Sequence, residues 1–246
     1  MSYSRGKWTK YKILSKSAKL AKTLPPTSKL SLQTFSHFLQ KYNHVIIKPT
    51  FGSGGHGVLQ VSSKGKGIYE VRHGKNTTRL DGKTKAYAFV KGKTKGSPHI
   101  IQQKISLAKV NSRPFDLRVM VQKMRKKKWK VTAKLAKIAG PGYIVTNVAR
   151  SKGKALPFSK AIKKSTIRKP SVKKIEKQID TIALKAVKVL RAHYHFIDTV
   201  GLDIALDDRG KIWIIEPNFT PIKQLFNLLE DKSLYRRIMH YYKRRH

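Results

Sequence analysis

The sequence has no cysteine, which excludes disulfides, thiolate metal sites and a cysteine nucleophile, and leaves the compartment open to redox arguments of neither kind. Acid is scarce as well. Twelve Asp and Glu stand against 55 Lys and Arg in 246 residues, a net charge of +43, and no acid occurs before Glu70. A field of that sign attracts polyanions and disfavours compactness at low salt. Charge alone therefore suggests an acidic peptide or protein, an anionic surface, or nucleic acid bound nonspecifically. No apolar run reaches the roughly 18–20 residues of a membrane span. Lysines interrupt Met1 to Leu20 where a signal peptide would carry its apolar core. A soluble cytoplasmic protein is the expectation. What is present is a hydrophobic fraction of 39% with clear periodicity, enough for one large domain or two small ones with a buried core.

Two β-like runs, Leu202 to Leu206 and Ile212 to Glu216, flank Asp207, Asp208, Arg209 and Gly210, the composition of a tight hairpin turn. Five of the twelve carboxylates fall between Asp198 and Glu216. If those four residues form the turn, Leu206 pairs with Lys211 and Asp203 with Ile214. Alternation then sets Ile214, Glu216 and Asn218 on Asp203's face. Two carboxylates and an amide oxygen converging in this way suit a Mg²⁺ that also holds phosphate oxygens. The same spacing also fits a solvated hairpin with incidental acids.

Upstream, Val45 to Pro49 reads as a buried strand ending in Lys48. It is followed by Gly52, Ser53, Gly54, Gly55, His56 and Gly57 and by a second strand, Val58 to Val61. Strand, glycine loop, strand is the order of a phosphate-covering flap, because glycines let backbone N–H groups approach anionic oxygens. It is neither a Walker loop nor a Rossmann fingerprint, and a ligand-free glycine hairpin has the same sequence. Further elements follow from periodicity. The basic stretch 1–24 reads as one short amphipathic helix ended by Pro25 and Pro26. A helix from Leu30 to Tyr42 begins near Ser28 or Ser31, with Leu32, Phe35, Phe38 and Leu39 on one face. Strands are expected at Ile68 to Val71, Tyr87 to Val90, His99 to Ile105, Phe115 to Gln122, Trp129 to Ile138 and Tyr143 to Val148, and an irregular basic stretch from Ala149 to Pro170. A lysine-backed helix from Val172 to His193 should cover a sheet, and one or two helices should close the chain after Ile222. Along Phe115 to Gln122, Asp116, Arg118 and Met120 share a face; Arg118 could pair with Asp116 there.

In order, the blocks VIIKPTFGSGGHGV, RPFDLRVMVQ, VTAKLAKIAGPGYIVTNVAR and GLDIALDDRGKIWIIEPN resemble the ATP-grasp superfamily and, more narrowly, its YheC/YheD-type proteins associated with endospore coats. The resemblance implies an α+β fold of two α+β lobes with nucleotide bound between them, without a full preceding α/β domain. The divisions are a basic helical segment at 1–24, an N-terminal lobe at 25–103 with the flap, and a C-terminal lobe at 104–246 with the hairpin. It implies a carboxylate-amine ligase using ATP and Mg²⁺ through an acyl phosphate, acting on a peptide or protein and linked to the spore coat, or else a non-catalytic assembly protein of the same fold. Lys48 and the flap residues Ser53, Gly54, Gly55, His56 and Gly57 would contact phosphates. Gln102, Gln103, Lys104 and Ile105 would meet the adenine edge, largely through backbone groups. Arg118 would steady the transferring phosphoryl group, and Asp203, Glu216 and Asn218 would hold Mg²⁺. The resemblance leaves a ribose acid to Asp116 and an upstream lysine to Lys10 or Lys12, while Lys134, Lys137 and Asn147 lie in matching blocks that could approach phosphate or metal, though as isolated residues they read as structural or solvated.

Overall fold

The computed structural model describes residues 3–52, 54–141 and 152–245. Within them, two antiparallel sheets account for the strands. The first runs in the order β1-β6-β2-β3-β4-β5, from β1 (Thr27–Lys29), β2 (His44–Pro49), β3 (Leu59–Ser63), β4 (Ile68–His73), β5 (Asn76–Asp81) and β6 (His99–Gln103). Two helices cover it, α3 (Leu32–Tyr42) and α4 (Lys83–Thr94), burying Phe35, Phe38, Leu39, Ala86 and Val90 against Val45, Ile47, Val61 and Ile101. Helix α3 starts at Ser31, whose hydroxyl accepts from the Thr34 N–H while Thr34 accepts from the Ser31 N–H. This reciprocal capping box satisfies two otherwise orphaned donors. Leu32 does not join the apolar face; it is 47% exposed in the first turn.

The stretch Tyr87 to Val90, expected as a strand, lies inside α4. Ala86, Val90 and Thr94 recur every fourth residue and are the buried positions, so helical packing on the sheet overrides the β preference of Tyr, Phe and Val. The sheet's edge is instead β5, a polar strand that periodicity did not single out, paired to β4 across Gly74.

The second sheet runs β10-β9-β8-β11-β12, with β7 (Lys109–Val110) pairing β8 (Arg113–Gln122). Its other members are β9 (Lys130–Ile138), β10 (Lys154–Pro157), β11 (Thr199–Leu206) and β12 (Ile212–Asn218). Strand β10 and helix α5 (Phe158–Lys163) occupy part of the stretch expected to be irregular; Phe158, Ala161 and Ile162 drive this by joining the core. The strand expected at Tyr143 to Val148, like Asn147 within it, lies outside the described residues.

One face of the second sheet is covered by α6 (Val172–Arg191), which buries Ile175, Ile179, Ala183, Ala186, Val187 and Leu190 as its periodicity requires. The N-terminal segment packs with it. It forms two helices in place of the single one expected, α1 (Lys7–Ser15) and α2 (Ala18–Ala21), and Ile13, Leu14, Leu20 and Leu24 enter the core of this lobe. The Thr23 carbonyl accepts from the Ile214 N–H at 2.7 Å, capping the open edge of β12 where unpaired backbone groups would otherwise invite another strand. The opposite face of the sheet divides in two. A 3₁₀ turn (Gln224–Leu228) and α7 (Ser233–Lys243) cover one end through Phe226, Leu229 and Ile238 over Met120, Ala133 and Leu135. The other end faces the first lobe.

Candidate active site

Between the lobes lies a cleft of about 1020 Å³, at the upper end of the usual range for small-molecule sites. Lys48, Gly54, Gly55, His56, Gln102, Gln103, Lys104 and Ile105 line it from the first lobe, and Arg118, Asp203, Glu216 and Asn218 from the second. Ser53 lies outside the described residues. Gly57 is not among the lining residues, and its role is conformational. Its φ is +67° and an added Cβ would meet the Pro49 ring at 2.9 Å, so only glycine lets the flap return this close to the end of β2.

The hairpin register differs from the simple count. Leu206 pairs with Ile212 and Ile204 with Ile214, and the turn holds five residues, tied by Asp207, which accepts from the backbone N–H groups of Arg209 and Lys211. On that register alone Glu216 would be displaced from Asp203. A bulge at the Asp203 and Ile204 step inserts one extra residue on β12, so Asp203 pairs with Glu216 and Gly201 with Asn218. Ile214, expected on Asp203's face, is instead buried in the helix-covered core, whereas Glu216 and Asn218 do open onto the cleft. A bulge re-aims side chains in this way and recurs near functional sites.

The cleft floor is an ionic cluster. Arg118 does not pair with Asp116; β8 and β11 set it opposite Asp203, and it donates to that carboxylate through Nε at 3.0 Å and Nη2 at 3.2 Å. Lys137 sits between Asp203 and Asp116 at 2.8 and 3.0 Å, and Asn218 Nδ2 donates to Asp203 at 3.1 Å. Burial penalises the Asp203 charge, but Arg118 and Lys137 overcome it and hold the carboxyl at about 2. Burial likewise opposes the Lys137 charge, and Asp116 and Asp203 outweigh it and raise the pKa above the usual lysine value. Glu216 is faced by Lys7 at 3.4 Å and Lys10 at 3.8 Å. Lys7, Lys10, Lys48, Arg118 and Lys137 thus surround Asp116, Asp203 and Glu216, five cations to three carboxylates.

Lys48 is the exception within this cluster. It is buried and has no ion-pair partner among the described residues. Burial lowers its pKa to about 8, with Glu216 opposing the shift and Lys7 adding to it. A buried ammonium without a counter-ion is costly, and such perturbed groups in a cleft are candidates for function. Of the two upstream lysines named from sequence, Lys12 is exposed. Lys10 is buried and donates to the Pro217 carbonyl at 2.6 Å; burial lowers its pKa while Glu216 opposes. The cleft lysine of this helix is Lys7, which sequence reasoning missed. It shares a helical face with Lys10 at i, i+3, the available signal. Its ammonium also donates to the Gly52 carbonyl at 2.7 Å, joining the flap base to Glu216. Lys134 is structural, paired with Glu176 and Asp180 of α6.

At the lobe connection, the Gln102 side chain donates to Thr27 at 2.8 Å and so braces β1. The Gln103 and Lys104 N–H groups donate to the Pro26 and His44 carbonyls. The Lys104 carbonyl and the Ile105 N–H have no partner among the described residues; they belong to one trans peptide unit and point in opposite directions, so only one of them can face a given ligand edge. Among the described residues no cluster of three or more His, Cys, Asp or Glu side chains forms a protein-only metal centre. Two carboxylates and the Asn218 amide oxygen still fit a hard cation that brings phosphate oxygens of its own.

Comparison with known proteins gives a consistent result. A family model described as YheC/D-like ATP-grasp matches residues 2–244. The endospore coat-associated protein YheD of Bacillus subtilis is 30% identical over 228 residues, covering 90% of this chain and 49% of that protein. YheC of the same organism is 26% identical, covering 87% of this chain and 59% of that protein; the chain thus spans about half the length of these curated relatives. Among solved structures, D-alanyl-alanine synthetase A from Vibrio cholerae superposes with a TM-score of 0.57 at 12% identity, over 98% of this chain and 64% of that one. N5-carboxyaminoimidazole synthetase from Staphylococcus aureus, complexed with ADP, gives 0.57 at 9% identity, over 98% and 51%. Those two likenesses show the shared fold, and the family match shows that this chain belongs to the YheC/D-like ATP-grasp proteins.

Proposed function

We propose that the chain is an ATP-dependent carboxylate-amine ligase acting on a peptide or protein, with a role in the endospore coat. The observation that carries this reading is Lys48, a buried cation with no ion-pair partner among the described residues, opposite two carboxylates in an ionic cluster where cations exceed acids by two. That imbalance suits a polyphosphate, and the name of the coat-associated relatives suggests the setting.

Lys48 and the flap backbone at Gly54 and Gly55 would bind nucleotide phosphates, with His56 at the flap tip and Lys7 at its base. Gln102 to Ile105, which line the cleft at the lobe connection, would meet the adenine edge, largely through backbone groups. Mg²⁺, when bound, would neutralise phosphate charge, held by Asp203, Glu216 and Asn218. The substrate carboxylate would attack the γ-phosphorus with ADP departing. The amine would then attack the acyl carbon, phosphate would leave, and the amine proton would pass to solvent. Such catalysis is positional and electrostatic and needs neither cysteine nor a Ser/His pair. Arg118, with Nη1 unpaired among the described residues, would hold the transferring group while Asp203 fixes its plane.

The test is calorimetric titration of ADP and ATP with and without Mg²⁺, followed by ADP and phosphate release with a peptide library. Saturable binding that weakens strongly in Asp203→Asn combined with Glu216→Gln is expected. Binding unchanged by both substitutions would sink the reading. Nucleotide binding without turnover on any carboxylate and amine would favour a non-catalytic assembly protein.

A further inference from the structure

The cleft face of the second sheet changes character at Arg118. Cross-strand register sets Ala205, Asp116 and Lys137 in one row and Glu216, Asp203 and Arg118 in the next. The following row is Asn218, Gly201, Met120 and Ala133, where ionic side chains stop. The segment after β12 lies against this row. Gly201 permits that contact, because a Cβ there would stand 2.6 Å from Pro221 Cβ and 3.3 Å from Arg118 Cδ. Pro221 and the Arg118 stem are therefore immediate neighbours. From there Leu225 packs onto the Met120 core, while Ile222 and Leu228 line the cleft yet stay 68% and 59% exposed.

In a chain with 55 Lys and Arg among 246 residues, the segment from Thr220 to Leu228 turns no cation toward this end of the cleft, where Arg118 is the basic neighbour among the described residues. The one basic residue between Thr220 and Leu228 is Lys223, whose ammonium stands 3.9 Å over the Tyr242 ring and is not among the cleft-lining groups. The next, Lys232, donates to the Asn227 and Leu229 carbonyls. Two large aliphatic side chains open to a cleft, beside an arginine, have no core to complete. Their chemistry suits a ligand with a carboxylate at one end and an apolar body at the other.

We propose that the acid substrate of this site is a carboxylate borne on an aliphatic body, such as the C-terminus of a peptide ending in a leucine-like residue. Its carboxylate lies at Arg118, and its body against Pro221, Ile222, Leu225 and Leu228. This rests on the nucleotide reading above and narrows it. The acidic polypeptide suggested by net charge then concerns the lysine-rich exterior, and an acidic side chain is not what this end of the cleft accepts. With the substrate's aliphatic body seated on it, this wall would keep water from the activated acyl group, a condition for passing it to an amine.

The test titrates N-acetyl-leucine and N-acetyl-glutamate, by saturation-transfer NMR, into the full chain with and without ADP and Mg²⁺. It is repeated with Ile222→Ser, Leu228→Ser, both exposed sites that leave the core intact. N-acetyl-leucine is expected to bind at least about 10-fold tighter than N-acetyl-glutamate. The double variant should lose about 10-fold or more of that affinity, while the Kd for ADP with Mg²⁺ moves less than about 2-fold. Equal or better binding of N-acetyl-glutamate overturns the proposal. So does a double variant that weakens ADP alone, which would make these residues a seat for the flap. Selective N-acetyl-leucine binding in a protein that fails to bind ADP would support the subsite while refuting the nucleotide reading.

Discussion

Lys48→Met separates a functional cation from a structural one, because the two predict opposite changes in stability. The ammonium is buried with its pKa lowered to about 8 from the usual lysine value of 10.5. At about 1.4 kcal/mol per pH unit, holding it charged costs the fold on the order of 3 kcal/mol. The folded pKa lies below the unfolded one, so the unfolded chain binds more protons between the two values. The penalty is therefore present in full below pH 8 and is relieved as pH rises from 8 through 10.5. Methionine keeps the stem and removes the charge. At pH 7 the variant should be more stable by about 1–3 kcal/mol, which for a chain of this size raises Tm by roughly 2–4 °C per kcal/mol. The advantage should vanish near pH 10.5. Nucleotide affinity should fall about 10- to 100-fold, the worth of a charge-assisted hydrogen bond. Urea unfolding of both proteins from pH 7 to 10.5, with ADP titrations at pH 7, supplies every quantity. A variant that is less stable at pH 7 and binds ADP as well as the parent would refute the reasoning.

Asp203→Asn removes the carboxylate that Arg118 and Lys137 share. With the folded pKa at about 2 against 3.8, it should cost about 2 kcal/mol at neutral pH. That contribution is complete above pH 3.8 and is lost as pH falls through 2, so denaturation curves of parent and variant should converge only in strong acid. Gly201→Ala drives a methyl against Pro221 at 2.6 Å and should cost about 1–3 kcal/mol by overpacking; thermal melts check the cost, and an unshifted Tm would show that the segment yields freely. With a net charge of +43, the fold should gain stability as salt rises from about 20 to 300 mM. Any DNA or RNA binding should weaken steeply over the same range, as counterion release requires, and fluorescence anisotropy at several salt concentrations would show it.

Much of the site was legible because its residues report on local chemistry. Glycines with positive φ at 52, 54, 55 and 57 mark a backbone that only such a loop adopts, and a lysine ending an apolar strand is conspicuous. Helix α6 announced itself by a stripe every three to four residues. Period two placed Asp116 and Arg118 on one face of β8. The amino-acid order thus determined most of the elements, the glycine loop and the acid-bearing hairpin, but not the helix over Tyr87 to Val90 or the polar strand β5.

Only the tertiary structure decided how these meet. The five-residue turn and the bulge on β12 are invisible to alternation, yet the bulge is what brings Glu216 beside Asp203. Arg118 prefers Asp203 to Asp116 because the partner is chosen by a strand 85 residues away, not by spacing along β8. Lys7 stands out from dozens of other lysines only because α1 docks across the lobe junction, where one ammonium reaches both Gly52 and Glu216. Charge and periodicity are local properties of a chain. Which charge is left buried without an ion-pair partner among the described residues, as Lys48 is, depends on everything folded around it.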